Sequence, residues 1–492
     1  MIGLKVARGW LSPAAGTLTL EINSPYFQAD QVPGTISYPF GLAIAGNQVA
    51  LNFPHVRAEQ GEKIAPEPCQ LYLDGVLRWV GSLVYLSVDE ERQLYAYNFV
   101  ADAADLATRL ENLKLTQLDL GTVPLELRFE SPEYALPCLR NATFYDAEKV
   151  PYCGVVNYYR GGYLQNIGGK RSPVVPFLRL TKLLPLVLGA LGYQVSGEWL
   201  SQPEVQQLVV YSDRAVEDEQ GLLLLEFARN RHVPDMLVSD FLLALQQLFG
   251  LAYDFHPVRR ELRIRTLAGV VADQRYVARG SGGPATTTAV TADGFTLELE
   301  LESDDELNKS LDTGWAKLVV GNGKEAISPK AGTLHVVRED DPTGNSRQWV
   351  VPAVEVKGAS PAFETGDDSR CGLRLLYDRG LQPDSTGAGY PLATWDRVNY
   401  AGQVVGQSTL HWEGPAGLYA LGWAGWLDFL SRAATKERTM PFRVSDLLSL
   451  DPARKELVDQ KKYLWEKVSL SLSTSDRRPL EAASFIYRYC RL

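Results

Sequence analysis

The stretch from Met236 to Thr266, MLVSDFLLALQQLFGLAYDFHPVRRELRIRT, changes its hydrophobic period halfway along. Val238, Phe241, Leu242, Leu245, Leu248 and Phe249 recur at three- and four-residue intervals, which sets them on one face of an α-helix. Gly250 follows, free to take the left-handed conformation that ends a helix. Beyond it Leu251, Tyr253 and Phe255 alternate, His256 to Arg260 offer a turn, and Leu262 and Ile264 alternate again. The reading is a helix feeding directly into a β-hairpin. Neither half carries a nucleophile, a metal cluster or a phosphate loop, so the stretch speaks for packing.

Outward from this point, composition sets the bounds. A chain of 492 residues exceeds one ordinary core and predicts two to four domains. Apolar residues at 45% and charged residues at 22% fit a globular protein rather than a disordered one. The 23 Tyr and 10 Trp, with frequent Gly and Pro, favour short strands and turns. No apolar run approaches the roughly 18 residues that a membrane-spanning helix needs. Met1 to Val6 lacks the apolar core of a secretory signal, so synthesis in a cytoplasm without ordinary export is expected, with no stable membrane insertion. Cys69, Cys138, Cys153, Cys371 and Cys490 are sparse and form no C-x-x-C pair, which argues for isolated reduced thiols. The net charge of −10 and the lack of a basic run speak against non-specific nucleic-acid binding and for solubility.

In order along the chain, residues 1–113 read as a small antiparallel barrel or sandwich closed by a helix. Thr17 to Ile22 alternates, Asn23-Ser24-Pro25 breaks it, and Pro33-Gly34 turns into a strand near Thr35 to Tyr38. Asp74-Gly75 marks a two-residue hairpin between Gln70–Asp74 and the long strand Val76–Val88. Gln93–Val100 returns, and Ala101–Leu113 carries helical spacing. Residues 114–300 form an α+β insertion holding an apolar helix, Thr181–Leu191, with Pro185 either kinking it or in its first turn. The helix–hairpin of 236–266 follows, then a flexible Gly/Thr-rich connection from Ala278 to Ala289. Residues 301–492 predict a second barrel-like region, with short helices at Trp423–Leu430 and Val444–Leu450. Its last part echoes 74–100 in length and order, with a polar turn from Asp459, a long strand Tyr463–Leu472, a charged turn at Ser475–Arg478 and a return strand; the alternative reading is that any two long hairpins share such a plan. The fold class is therefore mainly β with minor α: two small antiparallel barrels or sandwiches around an inserted α+β region.

A search for chemistry nominates no catalytic, cofactor-binding or metal-ligating residue. Gly168-Gly169-Lys170-Arg171 lacks the earlier glycine and the following Ser or Thr of a phosphate loop. Gly321-Asn322-Gly323-Lys324 reads as a hairpin turn. His55, His232, His256, His335 and His411 fall in no H-E-x-x-H pattern, and no G-x-S-x-G elbow accompanies them, so they read as turn or packing residues. The pairs within Asp304-Asp305-Glu306, Asp340-Asp341 and Asp367-Asp368 point to opposite faces if on strands, unlike the facing pair of a glycosidase. Trp412, Tyr419, Trp423 and Trp426 could offer a sugar platform, although their spacing better suits core anchors.

The pattern D-F-L-x-A-L-x-x-L-F-G followed by a strand, a turn and a strand resembles the tail hub, or baseplate hub, proteins of tailed phages, in particular those of phages infecting Bacteroidota. Asn23-Ser24-Pro25, Val32 to Phe40, Leu191 to Leu200, Leu375 to Gly380 with Tyr390 to Ala393, and Phe442 to Leu448 leading to Tyr463 are similar to other parts of that family. The resemblance implies a non-enzymatic virion protein of the tail tip, assembled in the host bacterial cytoplasm. It also implies a homotrimer in which tandem barrels make a six-lobed ring, joining the six-fold tail tube to a three-fold tip around a passage for DNA during genome ejection. The implied partners are tail-tube or distal-tail protein, a tip, spike or fibre protein, and a tape-measure protein. No cofactor is implied. The rival readings are a tip protein that binds a receptor or glycan, with or without glycan hydrolysis, and the hub of a phage-like injection device.

Overall fold

The computed structural model describes residues 2–27, 35–37, 40–101, 110, 112–127, 131–145, 150–218, 220–256, 258–280, 283–290, 294–342, 346–356, 362–365, 371–447, 449–474 and 480–490. The Pro33-Gly34 turn, most of the helix expected at Ala101–Leu113, Asp367-Asp368 and the turn at Ser475–Arg478 lie outside the described residues. The fold is mainly β. Among the described residues no helix is long and apolar enough to cross a membrane.

The chain forms two units, each assembled from separated stretches. One comprises Met1–Leu110, Ala252–Asp293 and Gly425–Leu492; the other comprises Glu111–Leu251 and Gly294–Ala424. The consecutive segments 1–113, 114–300 and 301–492 do not coincide with these units. Strand pairing between distant stretches cuts across sequence order, and the boundary at Leu251/Ala252 falls at the start of the focal hairpin.

In the first unit a single sheet joins fourteen strands among the described residues. Its N-terminal half centres on Glu67–Leu73, Val76–Asp89 and Leu94–Ala101, antiparallel in that order. Asp74 (φ 51°) and Gly75 (φ 78°) make the tight turn, the left-handed pair that matches strand twist. Its C-terminal half repeats the plan with Lys455–Val458, Lys461–Ser473 and Ala482–Cys490. There Asp459 (φ 48°) and Gln460 (φ 63°) make the corresponding turn without a glycine. Each long strand also bears a bulge against its return strand, between Tyr85 and Ser87 and between Trp465 and Lys467. Two strands stitch the halves together: Thr17–Asn23 pairs with Lys461–Ser473 from Thr17↔Ser473 to Asn23↔Lys467 and with Thr35–Ser37, whose Ile36 pairs with Val100.

Alternation explains the core beneath. Tyr95, Tyr97 and Phe99 are buried while Leu94, Ala96 and Asn98 are only half-buried, and Leu470, Phe485 and Tyr487 join Leu20 and Leu71 in one cluster. Gly81 is required where the long strand presses on its neighbour: a Cβ there would sit 2.0 Å from the Val100 carbonyl oxygen. The stretch 278–289 is not a featureless connection. Tyr276–Ala278 pairs parallel with Lys455–Leu457, and Ala285–Thr288 pairs antiparallel with Thr435–Arg438. All four residues of Ala285–Thr288 are exposed, so an edge strand of β-branched threonines showed no apolar alternation to read.

The second unit holds a sheet in the order Tyr134–Ala135, Phe177–Arg179, Leu208–Val210, Leu373–Pro383, Ala331–Gly332, with Gly389–Thr394 also paired to Leu373–Pro383. The helix expected at 181–191 runs from Leu180 to Ala190 with Pro185 in its second turn, beyond the first-turn position where proline costs least. Gly321–Lys324 closes no hairpin. The strands on either side, Lys317–Gly321 and Glu325–Ile327, flank Gly294–Glu298, one antiparallel and one parallel. The loop crosses over Gly294, where a Cβ would meet the Asn322 nitrogen at 2.2 Å, so the missing side chain permits the crossing.

Candidate functional site

Several of the singled-out stretches fall in the second unit, where they make packing and hydrogen-bond contacts. The Val238–Phe249 helix buries Val238, Phe241, Leu242, Leu245 and Leu248, and Phe249 is half-buried at its end. Gly250 terminates it at φ 61°. Gly250 and Gly422 then approach backbone to backbone: a Cβ on Gly250 would lie 2.6 Å from the Gly422 oxygen, and one on Gly422 would lie 2.5 Å from the Phe249 oxygen. Trp423 donates its Nε1–H to the Gln247 carbonyl at 2.9 Å, satisfying one of the helix's orphan acceptors. Trp199, from the Leu191–Leu200 stretch, packs on Phe249 with ring centroids 5.3 Å apart.

Leu375–Gly380 is equally explained by its neighbours. Asp378 pairs with Arg179 at 2.8 Å, and Arg379 stacks 4.3 Å above Tyr377. The buried Arg379 guanidinium also donates to Glu204 at 2.9 Å and to the Asp396 and Ser408 carbonyls. Gly380 takes φ 65° where the strand bulges against Gly389–Thr394. In the first unit, Phe442 lies 5.4 Å from the Arg279 guanidinium, which pairs at 2.9 Å with the buried Glu456.

One arrangement that sequence spacing did not reveal has the hydrogen-bond order of a hydrolytic triad. His232 Nε2 lies 2.8 Å from Glu364 Oε2, and Nδ1 lies 3.2 Å from Ser212 Oγ. Burial pulls the imidazole pKa down against the opposing pull of Glu364. The neutral ring then donates from Nε2 to the carboxylate and accepts the serine hydroxyl at Nδ1. Yet Ser212 is 2% exposed and His232 fully buried, and Oγ also accepts the Arg214 N–H at 3.2 Å. A substrate carbonyl has no approach, so the trio ties three loops together. Its members lie 20 and 132 residues apart, and no local pattern marks them.

The carboxylates behave similarly. Asp340 is exposed and Asp341 buried, the opposite-face placement expected of neighbours on a strand. Asp341 does meet a distant carboxylate, Asp384, but Arg347 stands between them at 3.0 and 3.3 Å, with all three side chains at 5% exposure or less. Arg347 also stacks 4.4 Å from Trp349. The two carboxylates are thus joined through one guanidinium in a buried ion-pair cluster. Of the aromatic residues considered as a sugar platform, Trp412, Trp423 and Trp426 are core residues at 2% exposure or less. A different stack forms instead: His411 lies between Trp315 (4.4 Å, 9°) and Trp395 (3.5 Å, 18°). Burial, with His335 nearby, lowers the His411 pKa to about 4. Gly168 and Gly169, both at positive φ, make a two-residue turn closed by Ile167 and Lys170 and hold no phosphate-loop helix. Among the described residues no cluster of three His, Cys, Asp or Glu could hold a metal ion.

No family model matches the chain, and no curated protein matches it. Solved structures similar to it include a tail protein from Neisseria meningitidis MC58, at 10% identity over 99% of this chain and 95% of that one, with a TM-score of 0.39. A 43 kDa tail protein of prophage MuSo2 from Shewanella oneidensis shows 9% identity over 99% and 96%, with a TM-score of 0.39. A chain of the Francisella PdpA–VgrG complex in its lidded form shows 9% identity over 100% of this chain and 53% of that one, with a TM-score of 0.32. Similarity at this level assigns no role to any residue.

Proposed function

We propose that the chain is a structural tail protein of a bacteriophage, acting as the hub of the tail tip without bond-making chemistry. The observation that carries this reading is the internal pairing of the first unit. Two halves, each a short strand, an Asp-led two-residue turn, a bulged long strand and a return strand, are joined in one sheet through Thr17–Asn23 and Thr35–Ser37. A chain that presents two similar lobes gives six lobes as a trimer, the geometric condition for a three-fold assembly to seat on a six-fold ring. The stretches resembling tail hubs support the same reading, since Phe249, Trp199, Arg379 and Phe442 within them make packing contacts. On this reading the partners are the tail tube or distal tail protein, a spike or fibre, and a tape-measure protein. DNA meets the chain only in passage, and the location is the virion. The hub of a phage-like injection device has the same symmetry requirement, and the genes neighbouring this one distinguish the two.

The test is negative-stain imaging of the purified chain at high concentration, with cross-linking and mass photometry on the same sample. Three-fold rings with a central opening support the hub. Monomers that neither cross-link to trimers nor add to purified tail tubes overturn it. Release of reducing ends from host surface polysaccharide would instead establish a glycan-degrading tip.

A further inference from the structure

The first unit contains a cleft of about 300 Å³ whose charge runs against that of the whole chain. Its walls include Gln274, Arg432, Lys455, Lys462, Tyr489 and Cys490. Strand register builds one wall. Lys462 lies directly opposite both Leu457 and Cys490, so Lys455, two residues from Leu457, shares their face of the sheet. The Ala424–Arg432 helix supplies Arg432 and Asp428.

The charges do not cancel. Arg432 pairs with Asp428 at 2.6 Å, which leaves two ammonium groups. Lys455, 4% exposed, donates to the Val271 carbonyl at 2.7 Å, and Lys462 donates to Gln274 Oε1 at 3.3 Å. Among the described residues neither has a carboxylate within ion-pair distance. Asp273, the acid acting on Lys455, is already held by Arg275 at 2.6 Å. The Cys490 thiol gives no counter-charge, because burial pushes its pKa up to about 11. An ammonium has three donors and is costly to bury unpaired. Lys455 shows this cost: burial, with Lys462 second to it among the lowering influences, pulls its pKa down. In a chain of net charge −10, such a group persists most economically if an anion completes its coordination.

We propose that this cleft is a binding site for a small oxyanion, a phosphate or carboxylate group, held between Lys455 and Lys462 with Gln274 and Tyr489 at its rim. The oxyanion accepts the free ammonium donors and offsets the mutual repulsion of the two lysines. The site stands independently of the tail-hub reading.

The test is a titration of the full-length chain with inorganic phosphate and, separately, with acetate. It is followed by melting temperature and by phosphate ³¹P line width at constant ionic strength, in the parent, Lys455→Met, Lys462→Gln and the surface control Lys182→Gln. The parent and the control should show saturable stabilisation at millimolar anion. Each cleft variant should lose affinity about tenfold or more, the scale of one charge-assisted contact. Binding should also weaken as pH rises through the lowered lysine pKa. Response to phosphate alone assigns a phosphate-group site, and response to both anions assigns a general oxyanion site. Should Lys455→Met fail to fold, Lys462→Gln, a half-buried position, carries the comparison. A parent that shows no saturable response to either anion, or variants that respond like the parent, would overturn the proposal.

Discussion

Replacing Arg347 by methionine should destabilise the second unit by about 3–5 kcal/mol, the usual cost of breaking a buried ion pair from one side. The guanidinium lies 3.0 Å from Asp341 and 3.3 Å from Asp384, and both carboxylates are fully covered. At an effective dielectric of ~20, each attraction amounts to about 5 kcal/mol before the desolvation that offsets much of it. Methionine retains an apolar stem against Trp349, which lies 4.4 Å from the guanidinium, so lost packing contributes little. For a unit of this size the loss corresponds to roughly 6–20 °C in melting temperature. The triple variant Asp341→Asn, Arg347→Met, Asp384→Asn should recover most of the loss. Thermal melts of the parent, the single variant and the triple variant provide the assay. A single variant that melts within about 2 °C of the parent, or a triple variant that recovers none of the loss, would refute the reasoning.

Phe241→Asp or Leu245→Asp places a carboxylate on a fully buried helix face and should cost several kcal/mol, read as lost soluble expression or a lowered melting temperature. Gly81→Ala should disrupt the N-terminal hairpin, because its Cβ falls 2.0 Å from the Val100 carbonyl; amide exchange in Leu94–Ala101 should rise sharply in any folded fraction. Gly422→Ala forces a Cβ to 2.5 Å from the Phe249 oxygen and should loosen the end of the focal helix, read by faster exchange at Gln246 to Gly250. The His411 pKa is lowered from 6.5 to about 4 in the folded chain, so its contribution to stability is present above about pH 6.5 and is lost as pH falls through about 4. His411→Phe keeps a ring between the two tryptophans and should flatten the fall of melting temperature across that window.

The sequence by itself determined the local elements. The Val238–Phe249 helix, the Gly250 stop and the Asp74-Gly75 hairpin each rest on interactions within a few residues, so period and turn chemistry announce them. It also exposed the echo of 74–100 near the C-terminus, because strand and turn lengths survive even where residue identity does not. Ala285–Thr288 escaped because an edge strand exposed on both faces has no period, and the Gly321–Lys324 turn misled because a local turn does not specify which strand runs between its arms. Only the tertiary structure decided how distant stretches pair. Thr17–Asn23 meets Lys461–Ser473, His232 meets Ser212 and Glu364, and Asp341 and Asp384 close on Arg347. Each such contact is chosen by global burial and backbone pairing among residues far apart in the chain, and no local pattern of apolar and polar residues carries that choice.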